Sequence, residues 1–187
     1  MSWYSLFLVL NCLIMDTKPL INRVAASGLI TLNLEDFFPE GEMAIFDLKD
    51  FLFRELILKE KDFRKALKEL DWSKYKDKHV LITCSTNAII PIWAYMLVTI
   101  YATPIAKSVF QGTAEAFYKQ AFTNALNQLD LTQYDNKLLV IKGCSDKPVP
   151  IAAYVELTRL LQPVAKSIMF GEPCSTVPLY KKPKVKK

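Results

Sequence analysis

The sequence predicts an α/β fold, a mostly parallel sheet flanked by helices and containing two duplicated βαβ units. Three observations predict it. Short β-branched runs alternate with amphipathic stretches of helical period, the pattern of strand, crossover helix and next strand. A shift of 59 positions lays Pro91 to Gly112 on Pro150 to Gly171 without a gap, with matches that include Pro91/Pro150, Tyr95/Tyr154, Pro104/Pro163, Lys107/Lys166 and Gly112/Gly171. Three strand-like runs each lead into a Cys-Ser pair: Cys84-Ser85, Cys144-Ser145 and Cys174-Ser175.

Taken in order, Ser2 to Ile14 (SWYSLFLVLNCLI) is apolar and uncharged. A signal peptide would want a basic residue ahead of it and a small-x-small site after it, and neither is present. The expectation is that residues 1–14 are an extension upstream of a start at Met15, with a weak signal or anchor as the alternative, and that 15–180 form one α/β domain. A chain of this length buries about 70% of its unfolded surface without staples. Leu29 to Leu34 and Met43 to Leu48, set between the turn signals Ser27-Gly28 and Pro39-Glu40-Gly41, read as strands. Glu35, Asp36, Glu40 and Glu42 make an acidic cluster there, read as solubility at a sheet edge. Lys49 to Leu70 reads as helical, with Phe63, Ala66, Leu67 and Leu70 on one stripe and Glu60 one turn from Arg64. Trp72 and Tyr75 follow as lids over the core edge.

His79 to Thr83 (HVLIT) is a buried strand. Ala88 to Ala106 after it carries no charge, but Pro91 and Pro104 cut the helical part to about eleven residues, about 17 Å, too short for a bilayer core of about 30 Å. Thr113 to Leu129 is the next helix. The repeat spans residues 75–112 and 134–171, with Tyr75/Tyr134, Lys78/Lys137 and Ile82/Ile141 matched upstream and Gly143 extra, so that Cys84 pairs with Cys144. Glu156 and Arg159 in the second copy stand where the first has Leu97 and Ile100, so one helix is half-exposed and the other buried. Tyr95, Tyr154 and Trp93 read as core, and Lys107 and Lys166 as solvated strand ends.

Of 24 basic residues, Lys181, Lys182, Lys184, Lys186 and Lys187 lie in the last seven positions, leaving 19 against 19 acidic. The body therefore lacks the basic field that nucleic acid needs, and 181–187 reads as a disordered Lys-rich tail. Four cysteines at long, irregular separations suit a reducing compartment rather than a disulfide scaffold.

In parallel sheets the loops at the carboxyl ends of strands line the ligand crevice, so the three later cysteines are expected on one edge. Thiolates are the usual ligands of zinc and iron-sulfur clusters, and Cys84, Cys144 and Cys174, with Glu172 and Asp146 as candidates for a fourth ligand, make a metal site the leading expectation. Zinc or an iron-sulfur cluster is the expected cofactor class. A cysteine ahead of a helix N-terminus also suits a thiol or persulfide carrier, and small buried cysteines followed by a serine helix cap suit a plain binding or scaffold protein. The lone His79 stands at the far end of its strand, and no glycine-rich phosphate loop is present, so no catalytic residue is assigned. Cys174 corresponds to Glu115 in the first copy and carries more independent weight than the duplicated pair.

The stretches INRVAASGLITLNLEDFFPEGE (Ile21 to Glu42), ITCSTNAIIPIWAYM (Ile82 to Met96) and KGCSDKPVPIAAYVELTRLLQPVAKSIMFGEPCSTVPLY (Lys142 to Tyr180) resemble a small bacterial family catalogued as domain-of-unknown-function family 2480. The resemblance covers about Ile21 to Tyr180 and implies a start near Ile21-Asn22-Arg23-Val24, which fits Met15. It implies a cytoplasmic bacterial protein without an assigned activity, with iron-sulfur assembly proteins as the partner class; the charge balance and the short apolar helix point to neither nucleic acid nor membrane as a target.

Overall fold

The computed structural model describes residues 28–143, 146–172 and 175–184. It is a mixed α/β structure whose strands run mostly parallel. Strands β1 (Leu29–Leu32), β2 (Met43–Asp47), β3 (His79–Thr83), β4 (Ser108–Gln111), β5 (Leu138–Ile141), β6 (Ser167–Glu172) and β7 (Ser175–Lys181) alternate with helices α1 (Glu60–Glu69), α2 (Ile92–Ala102), α3 (Ala114–Asn127) and α4 (Ile151–Leu161). Four short 3-10 turns, η1 (Leu34–Phe37), η2 (Leu48–Phe51), η3 (Trp72–Tyr75) and η4 (Leu131–Tyr134), complete the described elements.

The single expected sheet is corrected to two. One has the order β2-β3-β4, all parallel, and the other β1-β5-β6-β7, parallel except for β7. The chain enters β1, leaves that sheet after one strand, completes the other as β2-α1-β3-α2-β4, and returns to lay β5 against β1. Leu29 thus pairs with Leu138 across more than a hundred residues. Each sheet has its own apolar core. Phe46, Phe63, Leu67, Trp72, Val80 and Val98 lie in one, and Leu32, Phe122, Leu139, Ile141, Leu157 and Ile168 in the other. Helix α3 touches both. Phe122 and Leu126 sit in the second core, while Phe117 packs on His79 and Phe110 of the first sheet, with centroids 4.9 and 5.7 Å apart.

The elements follow from local chemistry. Helices α2 and α4 begin at Pro91 and Pro150, whose missing N–H is harmless at a helix start. They bury Ala94, Val98 and Ala102, and Ala153, Leu157 and Leu161, one residue per turn. Helix α1 carries the expected Arg64 Nε to Glu60 Oε1 contact at 2.8 Å. It starts eleven residues later than the expected Lys49. The reason is that the Asp47 carboxylate caps the 3-10 turn η2, Arg54 and Glu55 take left-handed backbone, and an isolated bridge joins Phe53 to Ile57. Trp72 and Tyr75 are core residues rather than lids: both are buried, and the Trp72 indole N–H donates to Leu67 O at 2.9 Å.

Ala88 to Ala106 supplies only the eleven residues of α2 as helix. Among the described residues no helix is long and apolar enough to cross a membrane. The expectations for residues 1–14 and Met15 lie outside the described residues, as do Lys186 and Lys187, whereas Lys181 is the last residue of β7 and Lys182 N donates to Lys166 O at 2.9 Å.

Candidate functional site

At the carboxyl end of β3 the chain turns through Cys84, Ser85 and Thr86 before entering α2. Cys84 is half-buried. Its Sγ donates to Thr86 O at 3.6 Å and lies 3.4 Å from Thr86 Oγ1. Ser85 does not cap the next helix, as the sequence suggested. Its backbone N–H donates to Asp47 Oδ1 at 3.0 Å, and the same oxygen accepts from Lys49 N at 3.0 Å. One carboxylate at the end of β2 therefore ties the η2 corner to the Cys84 loop.

Burial works to raise the Asp47 carboxyl. The hydrogen bonds from Ser85 and Lys49 and the charge of Lys49 outweigh it, so the group lies below its ordinary range. Tyr95, one turn into α2, has its hydroxyl pushed up, first by burial and then by charge on Cys84.

The other sheet has the same device with a different residue. Glu35, in η1 after β1, accepts from the backbone N–H groups of Asp146 and Lys147, the latter at 2.9 Å. These lie in the loop that follows β5. The acidic cluster is thus put to structural use, since Glu42 also pairs with Lys78 at 2.9 Å. Asp47 and Glu35 are the residues that sequence reasoning missed as loop clamps. The signal was available: Asn33-Leu34-Glu35-Asp36-Phe37 is echoed by Asp47-Leu48-Lys49-Asp50-Phe51, and in both Asn33 and Asp47 the side chain caps the 3-10 turn.

Of the five expected ligands, Cys84, Asp146 and Glu172 are described, whereas Cys144 and Cys174 lie outside the described residues. The expectation that all three cysteines share one sheet edge is corrected at the level of topology. Cys84 follows β3 of one sheet, whereas the chain segments leading to Cys144 and Cys174 are β5 and β6 of the other, because β5 pairs with β1 and β6 rather than with β3. Strands β5 and β6 are adjacent and parallel, with Ile141 opposite Phe170. Gly143 abuts the end of β6: a Cβ there would stand 3.0 Å from Phe170 Cζ and 3.4 Å from Gly171 Cα. Glu172, the last residue of β6, has a buried Oε1 with no hydrogen-bond partner among the described residues. Among the described residues no group of three His, Cys, Asp or Glu side chains is placed to hold a metal ion.

His79 stands at the amino end of β3, as expected, and is buried. Its Nε2 is 2.8 Å from Glu40 O and its Nδ1 2.7 Å from Ser108 Oγ. A carbonyl only accepts, so Nε2 donates to Glu40 O, while Nδ1 shares a hydrogen bond with the Ser108 hydroxyl. The imidazole is a structural tie across the sheet, and no base for Cys84.

No curated protein matches the chain, and no solved structure matches it. The family model described as "Protein of unknown function (DUF2480)" matches residues 18–182, nearly the whole length, and so takes in both sheets and all the loops described above. The chain belongs to the DUF2480 family.

Proposed function

We propose that the chain is a non-catalytic accessory protein of the cytoplasm that binds a thiophilic metal ion or an iron-sulfur cluster at the carboxyl end of β5 and β6. Cys144, Cys174 and Glu172 are its core ligands, with Asp146 on the same loop. The observation that carries this reading is the orphaned Glu172 oxygen. A carboxylate oxygen buried without a partner costs on the order of 1–3 kcal/mol, and a cation or a proton is what removes that cost. Glu172 is two residues before Cys174, and Gly143, directly before Cys144, packs against the same strand end. Two thiolates and a carboxylate suit zinc and iron better than magnesium or calcium. Cys84 follows a strand of the other sheet, and its thiol hydrogen is committed to Thr86 O, so it is the weakest member of the expected set. Iron-sulfur assembly proteins are the corresponding partner class.

The same reading takes β3-α2-β4 and β5-α4-β6 as copies of one unit. Besides the gapless identities, matched hydrogen bonds support it. Asp77 N donates to Ile105 O and Asn136 N to Val164 O; Lys107 N donates to Lys78 O and Lys166 N to Lys137 O. Asp77 and Asn136 also share a left-handed φ, at 59° and 52°. The thiols following β3 and β5 are then descended from one position.

The test is metal content after anaerobic purification, with zinc, iron and sulfide assayed on the same sample. Metal is expected at stoichiometric level in the wild type and in Cys84→Ala, and lost in Cys144→Ala, Cys174→Ala and Glu172→Gln. Metal-free wild-type protein, or metal uptake indifferent to both Cys144→Ala and Cys174→Ala, overturns the proposal.

A further inference from the structure

Helix α2 is apolar all round, and such a helix belongs in an interior. Only one of its sides is covered. Ala94, Val98 and Ala102 are fully buried against the β2-β3-β4 sheet, while Ile92, Met96 and Ile100, at i, i+4 and i+8, face outward. The polar atoms on that side are turned back into the helix: Thr99 Oγ1 donates to Tyr95 O at 2.9 Å and Thr103 Oγ1 to Thr99 O at 2.7 Å, so methyl groups are left at the surface.

The stripe does not end with the helix. It continues through Ile89 into a groove of about 450 Å³ lined by Leu56, Ile57, Leu58, Asn87, Ala88, Ile89 and Pro91. Ile89, Ile92, Met96, Ile100, Leu56 and Ile57 are each 60–92% exposed. No charged residue occurs from Cys84 to Ala106, and Arg54, Glu55 and Lys59 stand exposed beside the groove as a polar rim.

We propose that this face is covered by a second copy of the chain, α2 against α2 about a two-fold axis, with the Leu56-Ile57 turn of each copy flanking the helix of the other. Three arguments select this occupant. The six side chains expose on the order of 700 Å² of apolar surface, more than the largest patch of a typical monomer (about 300–600 Å²) and near the about 800 Å² that each partner buries in a standard interface. A face without charge offers nothing to discriminate a foreign partner electrostatically, and homodimer interfaces are the more apolar class. A ridge of residues four apart packs into the groove of an identical ridge, as an isologous contact requires. Helix α4 is the internal control. Its outward face holds Ile151 and Val155 but is interrupted by Arg159, which pairs with Glu156 at 2.6 Å.

The test is sedimentation velocity on the full chain across a concentration series, with Met96→Glu, Ile100→Glu and the control Val155→Glu. The wild type and Val155→Glu are expected to be dimers. A carboxylate buried at the centre of the α2 face is expected to raise the dissociation constant at least about 100-fold. Both α2 positions are exposed in the single chain, so circular dichroism should not change, and the urea midpoint should fall only by the stabilisation that association gives the wild type, a difference that disappears on dilution. A wild type that is monomeric at about 100 μM overturns the proposal and leaves the face to a different protein or a bilayer surface. So does a dimer that Met96→Glu and Ile100→Glu leave intact. Neither outcome depends on whether the chain binds metal.

Discussion

Asp47→Ala cuts the tie between the η2 corner and the Cys84 loop. The lost contacts are two hydrogen bonds to one carboxylate oxygen, from Lys49 N and Ser85 N, each 3.0 Å long. Bonds to a charged group contribute about 1.5–3 kcal/mol when buried; Asp47 is half-exposed, so about 1–1.5 kcal/mol each, or about 2–3 kcal/mol together, is expected. With a urea slope of about 2 kcal/mol/M the midpoint falls by about 1–1.5 M. Alkylation of Cys84, followed on its own peptide by mass spectrometry, should speed up, because the loop that holds the thiol against Thr86 loses its anchor. Asp47→Asn keeps one acceptor and should cost about half as much.

The effect also has a pH signature. The folded carboxyl lies below its ordinary range, so the clamp contributes fully above the unfolded value of about 3.9 and is lost as pH falls through the lower folded value. The gap between wild type and Asp47→Asn should therefore be constant above about pH 4 and close below it. A change under about 0.5 kcal/mol in Asp47→Ala, with unaltered Cys84 reactivity, would refute the clamp.

Two further outcomes follow from the packing. Phe46→Ala should cost about 3–5 kcal/mol, since its ring contacts Phe51, Trp72 and Tyr75 at 5.1, 5.8 and 5.9 Å; a urea midpoint consistent with less than about 2 kcal/mol would contradict a central place for that ring. Ser108→Ala leaves the buried His79 Nδ1 without its partner, with an expected cost of about 1–2 kcal/mol and an altered Nδ1 nitrogen resonance; an unchanged resonance would contradict that hydrogen bond.

Much of the fold was legible because it is written in short-range pattern. The strand His79 to Thr83 is recovered residue for residue and the helix after Pro91 at its expected length of about eleven residues, since a β-branched run and a proline-started apolar segment carry their own signals. The segment from Lys49 to Lys59 was misread because periodicity does not register a carboxylate cap or two left-handed residues in a row. The candidate site was legible only as residue types. Cys84, Asp146 and Glu172 were named from sequence, but the carboxylate clamps at Glu35 and Asp47 come from chain segments 111 and 38 residues away from the loops they hold.

By itself the sequence determined most of the element types, the matched residues at a spacing of 59, the balance of charge in the body and the family, all of which depend on residue identity and on neighbours within a turn or two. Only the tertiary structure decided that the strands divide between two sheets. The pairing of β1 with β5 rather than β2 is a hydrogen-bonding choice between backbones, and every β-branched run offers the same donors and acceptors to any other. That choice separates Cys84 from the strands that lead to Cys144 and Cys174. It also lays α2 over one sheet so that a single side of an all-apolar helix is covered.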